Sequence, residues 1–286
     1  MLAGTREASD MCWNQDERMR EGDALEPVRS LWVGDALPAA QRACVDSFLR
    51  VGHPFELFTY GEVEGVPRGV RVRDAEEIVS RDRVFRYGKC AGESAGGLSG
   101  FSNLFRYALL VREGGYWVDC DVFCLRPFPD APMVISSERM RNGRRAVTCC
   151  VMKCPAQDPL ARYCLARAVA SDSKLLVHGE TGPALVAEVV RKRALQGAVV
   201  APEAFCCVDW FACGSLYQPG VFPAGAYGVH LWGEVWRREH GEIPWPGERG
   251  SMMHELSRIG KSELPVGGGR VWRMLRGLAR KPAMSG

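Results

Sequence analysis

The sequence predicts an α/β fold built on a mainly parallel sheet, and three observations carry that prediction. Short apolar runs alternate with stretches of helical spacing from residue 28 onward, the pattern of parallel strands joined by helices. Glycine or proline closes most of these runs, as turns and helix ends require. The composition, 47% hydrophobic and 25% charged over 286 residues, suits a globular chain that buries a large core without disulfide staples.

Residues 28–34 (VRSLWVG) read as a first strand, and residues 38–51 as a helix with Ala39, Ala43, Phe48 and Leu49 on its apolar face and Gly52 closing it. Residues 55–60 and 70–72 read as second and third strands. After a glycine-rich stretch at 88–100 comes the clearest helix. Ser99 or Ser102 is its cap, Phe101, Leu104, Phe105, Ala108 and Leu109 its stripe, and Gly114-Gly115 its end. Tyr116-Trp117-Val118 follows as a buried strand, leading through Asp119-Cys120-Asp121 to residues 122–125, where Pro127 and Pro129 stop the run. Later helices are expected at 159–170, capped by Asp158, and at 183–195, capped by Thr181 and closed by Gly197. Short strands and aromatic loops continue to about residue 250. The domain expectation is a loosely held lead-in over 1–27, one domain over 28–260 and a basic tail over 261–286.

A net charge of +3, from 37 basic and 34 acidic residues, gives no nucleic-acid footprint. The start of the chain is polar and acidic, without a signal-peptide core, and no window approaches a membrane span. A cytoplasmic location with free thiols is therefore expected. The twelve cysteines contain no C-x2-C pair. The groups Cys149-Cys150 with Cys154, and Cys206-Cys207 with Cys213, are read as small buried hydrophobes rather than zinc ligands.

Asp119-Cys120-Asp121 is the strongest chemical signal. Alternate residues of a strand share a face, which would set two carboxylates about 6.5 Å apart along the chain. Such a pair needs a cation, and a hard divalent ion, Mg²⁺ or Mn²⁺, suits oxygen ligands that face phosphate. Asn103 and Arg106, three apart on the preceding helix, share its non-core face.

The stretch FSNLFRYALLVREGGYWVDCDVFCLRPF over 101–128 resembles the signature of the DXD-type sugar transferases, which include α-1,4-galactosyltransferases and initiating mannosyltransferases. LWVGDALP at 31–38, SFLRVGHPFELFTY at 47–60, HGETGPALV at 178–186 and GVHLWGEVWRR at 228–238 resemble the bacterial branch in the same order. The resemblance implies a GT-A fold, a nucleotide-binding α/β sandwich around a mixed, mainly parallel twisted sheet. It implies a metal-dependent, retaining transferase that moves a sugar from a nucleotide diphosphate, UDP-linked, to a saccharide or lipid-linked acceptor in surface polysaccharide or glycolipid synthesis. By the same resemblance Asp121 and His230 ligate the ion, with Asp119 at the metal or the ribose, and Arg106 reaches the donor sugar or its diphosphate. Trp32, Tyr60 and Asp74 fall where the nucleotide pocket begins, and Asn103 meets sugar hydroxyls. Glu180, Thr181 and Gly182 form a loop between donor and acceptor. Two departures stand out: Asn103, where much of the family has aspartate, and Thr148-Cys149-Cys150, where related sequences often carry asparagines.

Two other readings compete. Gly92-Glu93-Ser94-Ala95-Gly96 fits the G-x-S-x-G elbow of serine esterases, with Asp209 and His230 in the required chain order, although no buried strand directly precedes it. A non-catalytic sugar-nucleotide binding module is the other. The tail over 270–281 (RVWRMLRGLARK) gathers Arg270, Arg273, Arg276, Arg280 and Lys281 without an acid. With Val271, Met274, Leu275 and Leu278 on one helical face, it is expected to meet anionic membrane.

Overall fold

In a computed structural model, residues 24–259 are described. The tail over 270–281 and most of the lead-in lie outside them. Within this span the chain forms eight strands and six α-helices. The strands are β1 (Val28–Trp32), β2 (Phe55–Thr59), β3 (Arg71–Asp74), β4 (Gly115–Val118), β5 (Val122–Cys124), β6 (Val134–Arg139), β7 (Arg145–Cys154) and β8 (Gly228–His230). The helices are α1 (Ala39–Val51), α2 (Ser99–Glu113), α3 (Pro159–Ala170), α4 (Leu185–Lys192), α5 (Gly233–His240) and α6 (Met252–Ile259).

The central sheet runs in the order β3-β2-β1-β4-β7-β6. Pairs β1/β2, β1/β4 and β2/β3 are parallel, whereas β7 is antiparallel to both β4 and β6. This is the mixed, mainly parallel α/β sheet that the sequence predicts. Parallel order reverses between β1 and β4, so the chain leaves their carboxyl ends in different directions and opens a crevice there. Beyond β4 the chain turns into β5, which pairs antiparallel with β8 and sets Val122 opposite His230.

Side-chain alternation divides the core into two layers, because successive strand residues face opposite sides. Tyr116 and Val118 join one buried cluster with Val45, Phe48 and Phe128 of α1 and the loops. Trp117 between them joins the other, with Phe105, Leu109 and Leu160 of α2 and α3. Each layer sits on aromatic edges: Phe105 meets Trp117 at 6.3 Å, and Phe128 meets Phe48 at 5.2 Å and Tyr116 at 5.3 Å. Ser47 of α1, fully buried, accepts from Cys124 N at 2.8 Å and fastens β5 to the helix layer.

At the far edge Glu56, buried on β2, accepts from Arg29 of β1 at 3.0 Å and from Arg71 and Arg73 of β3 at 2.9 and 3.2 Å. Burial opposes its ionisation, but the Arg29 and Arg73 guanidinium groups outweigh that and hold its carboxyl below the ordinary range. Three strands are thereby tied by charge as well as by backbone.

Local structure departs from expectation in four places. The cap of α2 is Leu98 without a side-chain bond, so Ser99 and Ser102 lie inside the helix. Thr181 does not cap a helix either. Residues Glu180–Ala184 form an irregular wide turn, with Gly182 outside helical geometry and Pro183 within it. Helix α4 starts only at Leu185 and ends before Arg193, short of Gly197. The stretch up to about residue 250, read as short strands and aromatic loops, contains α5, and α6 follows it. Elsewhere the caps follow the residues: Asp158 Oδ1 accepts from Leu160 N at 2.7 Å, and Gly52 ends α1 at φ 104.

Gly114, between α2 and β4, adopts φ 66, ψ −156, a region essentially restricted to glycine. A Cβ there would lie 2.3 Å from Ala156 N and 2.8 Å from Pro155 C, both backbone. Gly114→Ala is therefore expected to destabilise the fold by about 2–5 kcal/mol, from strain plus overpacking. Chemical denaturation at neutral pH measures it, and a loss below about 0.5 kcal/mol would contradict the assignment.

Candidate active site

The carboxyl ends of β1 and β4 open into a cleft of about 1210 Å³. Asp119, Asp121, His230, Arg106, Asn103 and Trp32 all line it. Glu180 and Pro183 of the wide turn close one side, and Glu234, Arg237 and Arg238 of α5 another.

Asp119 and Asp121 occupy the turn between β4 and β5 rather than a strand, a correction to the expected alternation. The turn is closed by Val122 N donating to Asp119 O at 3.1 Å. Cys120 points back into the sheet, its Sγ 3.0 Å from Ser30 Oγ of β1, and so anchors the loop while the carboxylates flank it. Asp119 N donates to Cys150 O of β7 and Leu231 N to Asp121 O, at 2.8 and 2.9 Å. Backbone from β7 and from the end of β8 thus fixes the turn on both sides.

Each carboxylate has its own partners. Asp119 Oδ1 accepts from Arg106 Nη2 and from Trp117 Nε1, both at 2.8 Å. Asp121 Oδ2 accepts from Gly233 N at 2.7 Å, and its Oδ1 lies 3.3 Å from His230 Nε2. A Cβ on residue 233 would come within 2.9 Å of that same Oδ2, so glycine permits the contact. Burial lifts the Asp119 pKa, with Arg106 only partly offsetting it and Asp121 adding to it. Burial also opposes ionisation of Asp121, but His230 and the Gly233 N–H hold its carboxyl below the ordinary range. Burial disfavours the His230 imidazolium, yet Asp121 and Cys150 together outweigh it and push the proton affinity of the ring well above the ordinary imidazole value.

One ligand atom each from Asp119, Asp121 and His230 fall within 4.8 Å of one another. Two carboxylate oxygens and an imidazole nitrogen suit Mn²⁺ or Mg²⁺, so the donor set fits the expected ion. The surroundings of His230 fix its orientation. Its ring packs against Trp232 with centroids 4.0 Å apart and planes tilted by 40°, and its backbone N donates to Phe205 O at 2.8 Å. Trp232 itself sits at φ 60, unusual for a bulky residue, and its Nε1 donates to Val208 O at 2.8 Å.

Arg106 and Asn103 are buried at 2% and 4% exposure rather than carried on a solvent face. Arg106 Nη1 donates to Asn103 Oδ1 at 2.6 Å, and its Nε makes no hydrogen bond among the described residues. Trp32 reaches the cleft with its Nε1 buried and likewise unbonded among the described residues. Gly182 packs its backbone on Asn103, where a Cβ would meet Nδ2 at 2.8 Å. Thr181 is buried behind the cleft wall, its carbonyl accepting from Tyr107 Oη at 2.8 Å. Tyr60 and Asp74 are not brought to the cleft. Tyr60 Oη donates to Val79 O at 2.7 Å, and Asp74 caps a 3₁₀ turn by accepting from Glu76 N at 3.0 Å. Ser94 ends another 3₁₀ turn, is 1% exposed and lies off the cleft, without the strand a nucleophile elbow needs.

Sequence reasoning missed Glu138, at the cleft end of β6. Burial raises its carboxyl to about 7, with His230 opposing and Cys150 and Asp209 reinforcing the rise. No motif marks it; the antiparallel β6/β7 pairing alone brings it there. An acid whose pKa is raised by folding loses stability as pH climbs from its ordinary 4.5 toward 7. In chelator-treated protein, Glu138→Gln should therefore gain stability over wild type at pH 8 relative to pH 4.5. Paired denaturation curves at the two pH values measure this, and an unchanged difference would refute it.

Residues 74–141 match the family described as glycosyltransferase sugar-binding region containing DXD motif. No curated protein sequence matches the chain significantly. Among solved structures it is similar to the PaToxG glycosyltransferase at 12% identity and TM-score 0.41, over 91% of this chain and 86% of that one. It is also similar to the catalytic domain of alpha-toxin from Clostridium novyi at 8% identity and TM-score 0.34, over 83% and 77% of the two chains. Likenesses this low carry no weight beside the sequence match. The matched stretch holds Asn103, Arg106, Asp119, Asp121 and Glu138, and in activity class the chain is a glycosyltransferase.

Proposed function

We propose that the chain transfers a sugar from a UDP-linked donor to a hydroxyl of a saccharide or lipid-linked acceptor, with retention of anomeric configuration. The observation that carries this reading is the meeting of Asp119, Asp121 and His230 in one large cleft at the carboxyl ends of β1 and β4. Asp121 and His230, with Asp119 beside them, would hold Mn²⁺ or Mg²⁺. When bound, that ion supplies positive charge against which a diphosphate can depart.

The remaining work falls to the chain's own groups. Expelling a diphosphate places growing negative charge beside the DXD turn, and Arg106 lies next to that turn with its guanidinium fixed from two sides. A unit charge at 4 Å contributes about 4 kcal/mol at an effective dielectric near 20. Felt only in the transition state, that is about a thousandfold in rate. Trp32 offers an aromatic face at the end of β1, on which a nucleobase can stack. Asn103 and Glu180 line the same space, where Glu180 brings carboxylate oxygens and Asn103 a neutral amide to sugar hydroxyls. The bond from the anomeric carbon to the diphosphate breaks as the acceptor oxygen bonds to that carbon. The hydroxyl proton leaves with the departing phosphate or to a cleft carboxylate such as Glu138.

Asp121→Ala should lower metal-dependent release of nucleoside diphosphate by about a thousandfold or more while the protein stays folded. A coupled assay across UDP- and GDP-sugars, with and without Mn²⁺, checks it alongside the circular dichroism spectrum. Unchanged turnover in a folded variant would overturn the assignment.

A further inference from the structure

Behind His230 lies a second group of ligands that no sequence motif announces. Cys150 of β7, Cys206 in the loop after the Pro202–Ala204 turn and His230 of β8 bring their ligand atoms within 4.8 Å of one another. Cys150 and Cys206 are each 1% exposed, and His230 is 8% exposed. The two sulfurs stand 3.7 Å apart, and Cys206 Sγ lies 4.0 Å from His230 Nδ1. Tetrahedral zinc with Zn–S bonds of about 2.3 Å spaces two sulfurs about 3.8 Å apart and sulfur from nitrogen about 3.6 Å. The three atoms therefore stand near zinc-site spacing already. Their elements are tied together by backbone, with His230 N donating to Phe205 O and Asp119 N to Cys150 O, both at 2.8 Å. Cys150 and His230 also line the cleft, which gives an ion a route inward.

We propose that Cys150, Cys206 and Nδ1 of His230 form a zinc-class metal site, back to back with the Asp119–Asp121–His230 set. Binding releases to solvent whatever protons the two sulfurs and Nδ1 carry, and thiolate ligands select zinc over magnesium or manganese. The two sites share one imidazole but use opposite nitrogens. For Nε2 to ligate a hard ion, Nδ1 carries the proton and points it at the sulfurs. For Nδ1 to ligate zinc, Nε2 carries the proton and points it at Asp121 Oδ1, 3.3 Å away. A neutral imidazole serves one set at a time, so zinc inhibits by withdrawing His230 from the hard ion. The inhibitory half of this inference rests on the transferase reading; the binding half does not.

The test is titration of the purified full-length protein with Co²⁺ under a non-thiol reductant. One equivalent should produce a thiolate-to-cobalt charge-transfer band that zinc then removes. Cys206→Ser should abolish the band, leave Mn²⁺-dependent turnover unchanged, and raise the zinc concentration for half-inhibition at least tenfold. Cys213→Ser should keep the band. X-ray absorption of the zinc-loaded wild type, which needs no variant to fold, should show two sulfur scatterers and at least one nitrogen. A shell without sulfur, or a band that survives Cys206→Ser, would overturn the site. Loss of the site with Mn²⁺-dependent turnover intact leaves the transferase standing. A cobalt band without any turnover is the reverse case: it retains the site and removes the transferase.

Discussion

Two carboxylates separated by one residue cannot both stay ionised in a half-buried turn unless each has its own counter-charge. At an effective dielectric near 20, two like charges about 4 Å apart repel by about 4 kcal/mol, a large fraction of a domain's net stability. The chain meets this requirement from two directions. Arg106, reaching up from α2, neutralises Asp119 at 2.8 Å, while Asp121 turns toward His230 and the Gly233 N–H. The two partners arrive on elements more than a hundred residues apart, so the pair is tolerable only once the whole fold has closed. The resulting asymmetry is chemical. Asp119 keeps a raised proton affinity and Asp121 a lowered one, which makes Asp121 the firmer anion of the two.

The sheet order serves that arrangement. β1 and β4 are neighbours running the same way, so Ser30 of one can pin Cys120 beyond the other. The small sheet of β5 and β8 then returns His230 to within reach of the turn it must compensate. Trp117 shows how tightly site and core are joined. Its ring packs in the α2–α3 layer against Phe105, under the Arg106 guanidinium at 5.0 Å, while its N–H fixes Asp119. Removing that ring would disturb hydrophobic layer, cation and carboxylate together, so core packing here is also site positioning.

Much of this was legible in the residues. β1, α1, β2, α2, β4 and α3 announce themselves because the apolar period and a bounding glycine or proline agree along one local stretch. What was not legible depends on contacts between distant segments. Asp119 and Asp121 leave the strand because β5 must bend away to pair with β8, and nothing local encodes that bend. Thr181 has a cap's chemistry, yet Pro183 and the non-helical Gly182 force a wider turn before α4 begins. Tyr60 and Asp74 end strands of the correct sheet, but β3 and the turns after it occupy them with Val79 and Glu76. Cys150 and Cys206 belong to different clusters in the sequence and meet only because β7 and the loop before β8 flank one histidine.

The two departures from the resembling sequences touch each other, and this gives them a common logic. Cys149 Sγ lies 3.8 Å from Asn103 Oδ1, the oxygen that accepts from Arg106. Asparagine takes that hydrogen bond without taking charge, so the guanidinium remains electrostatically undivided for Asp119. An aspartate at the same place would draw on the same cation and leave the DXD pair less compensated. It would also bring a third anion against Gly182 and the buried Cys149, where a thiol is a weak donor to it. A neutral amide beside a thiol is the self-consistent pair; an aspartate beside a stronger amide donor would be another. The floor beside Arg106 therefore stays uncharged, and among the described residues Asp119 is the anion paired with that guanidinium.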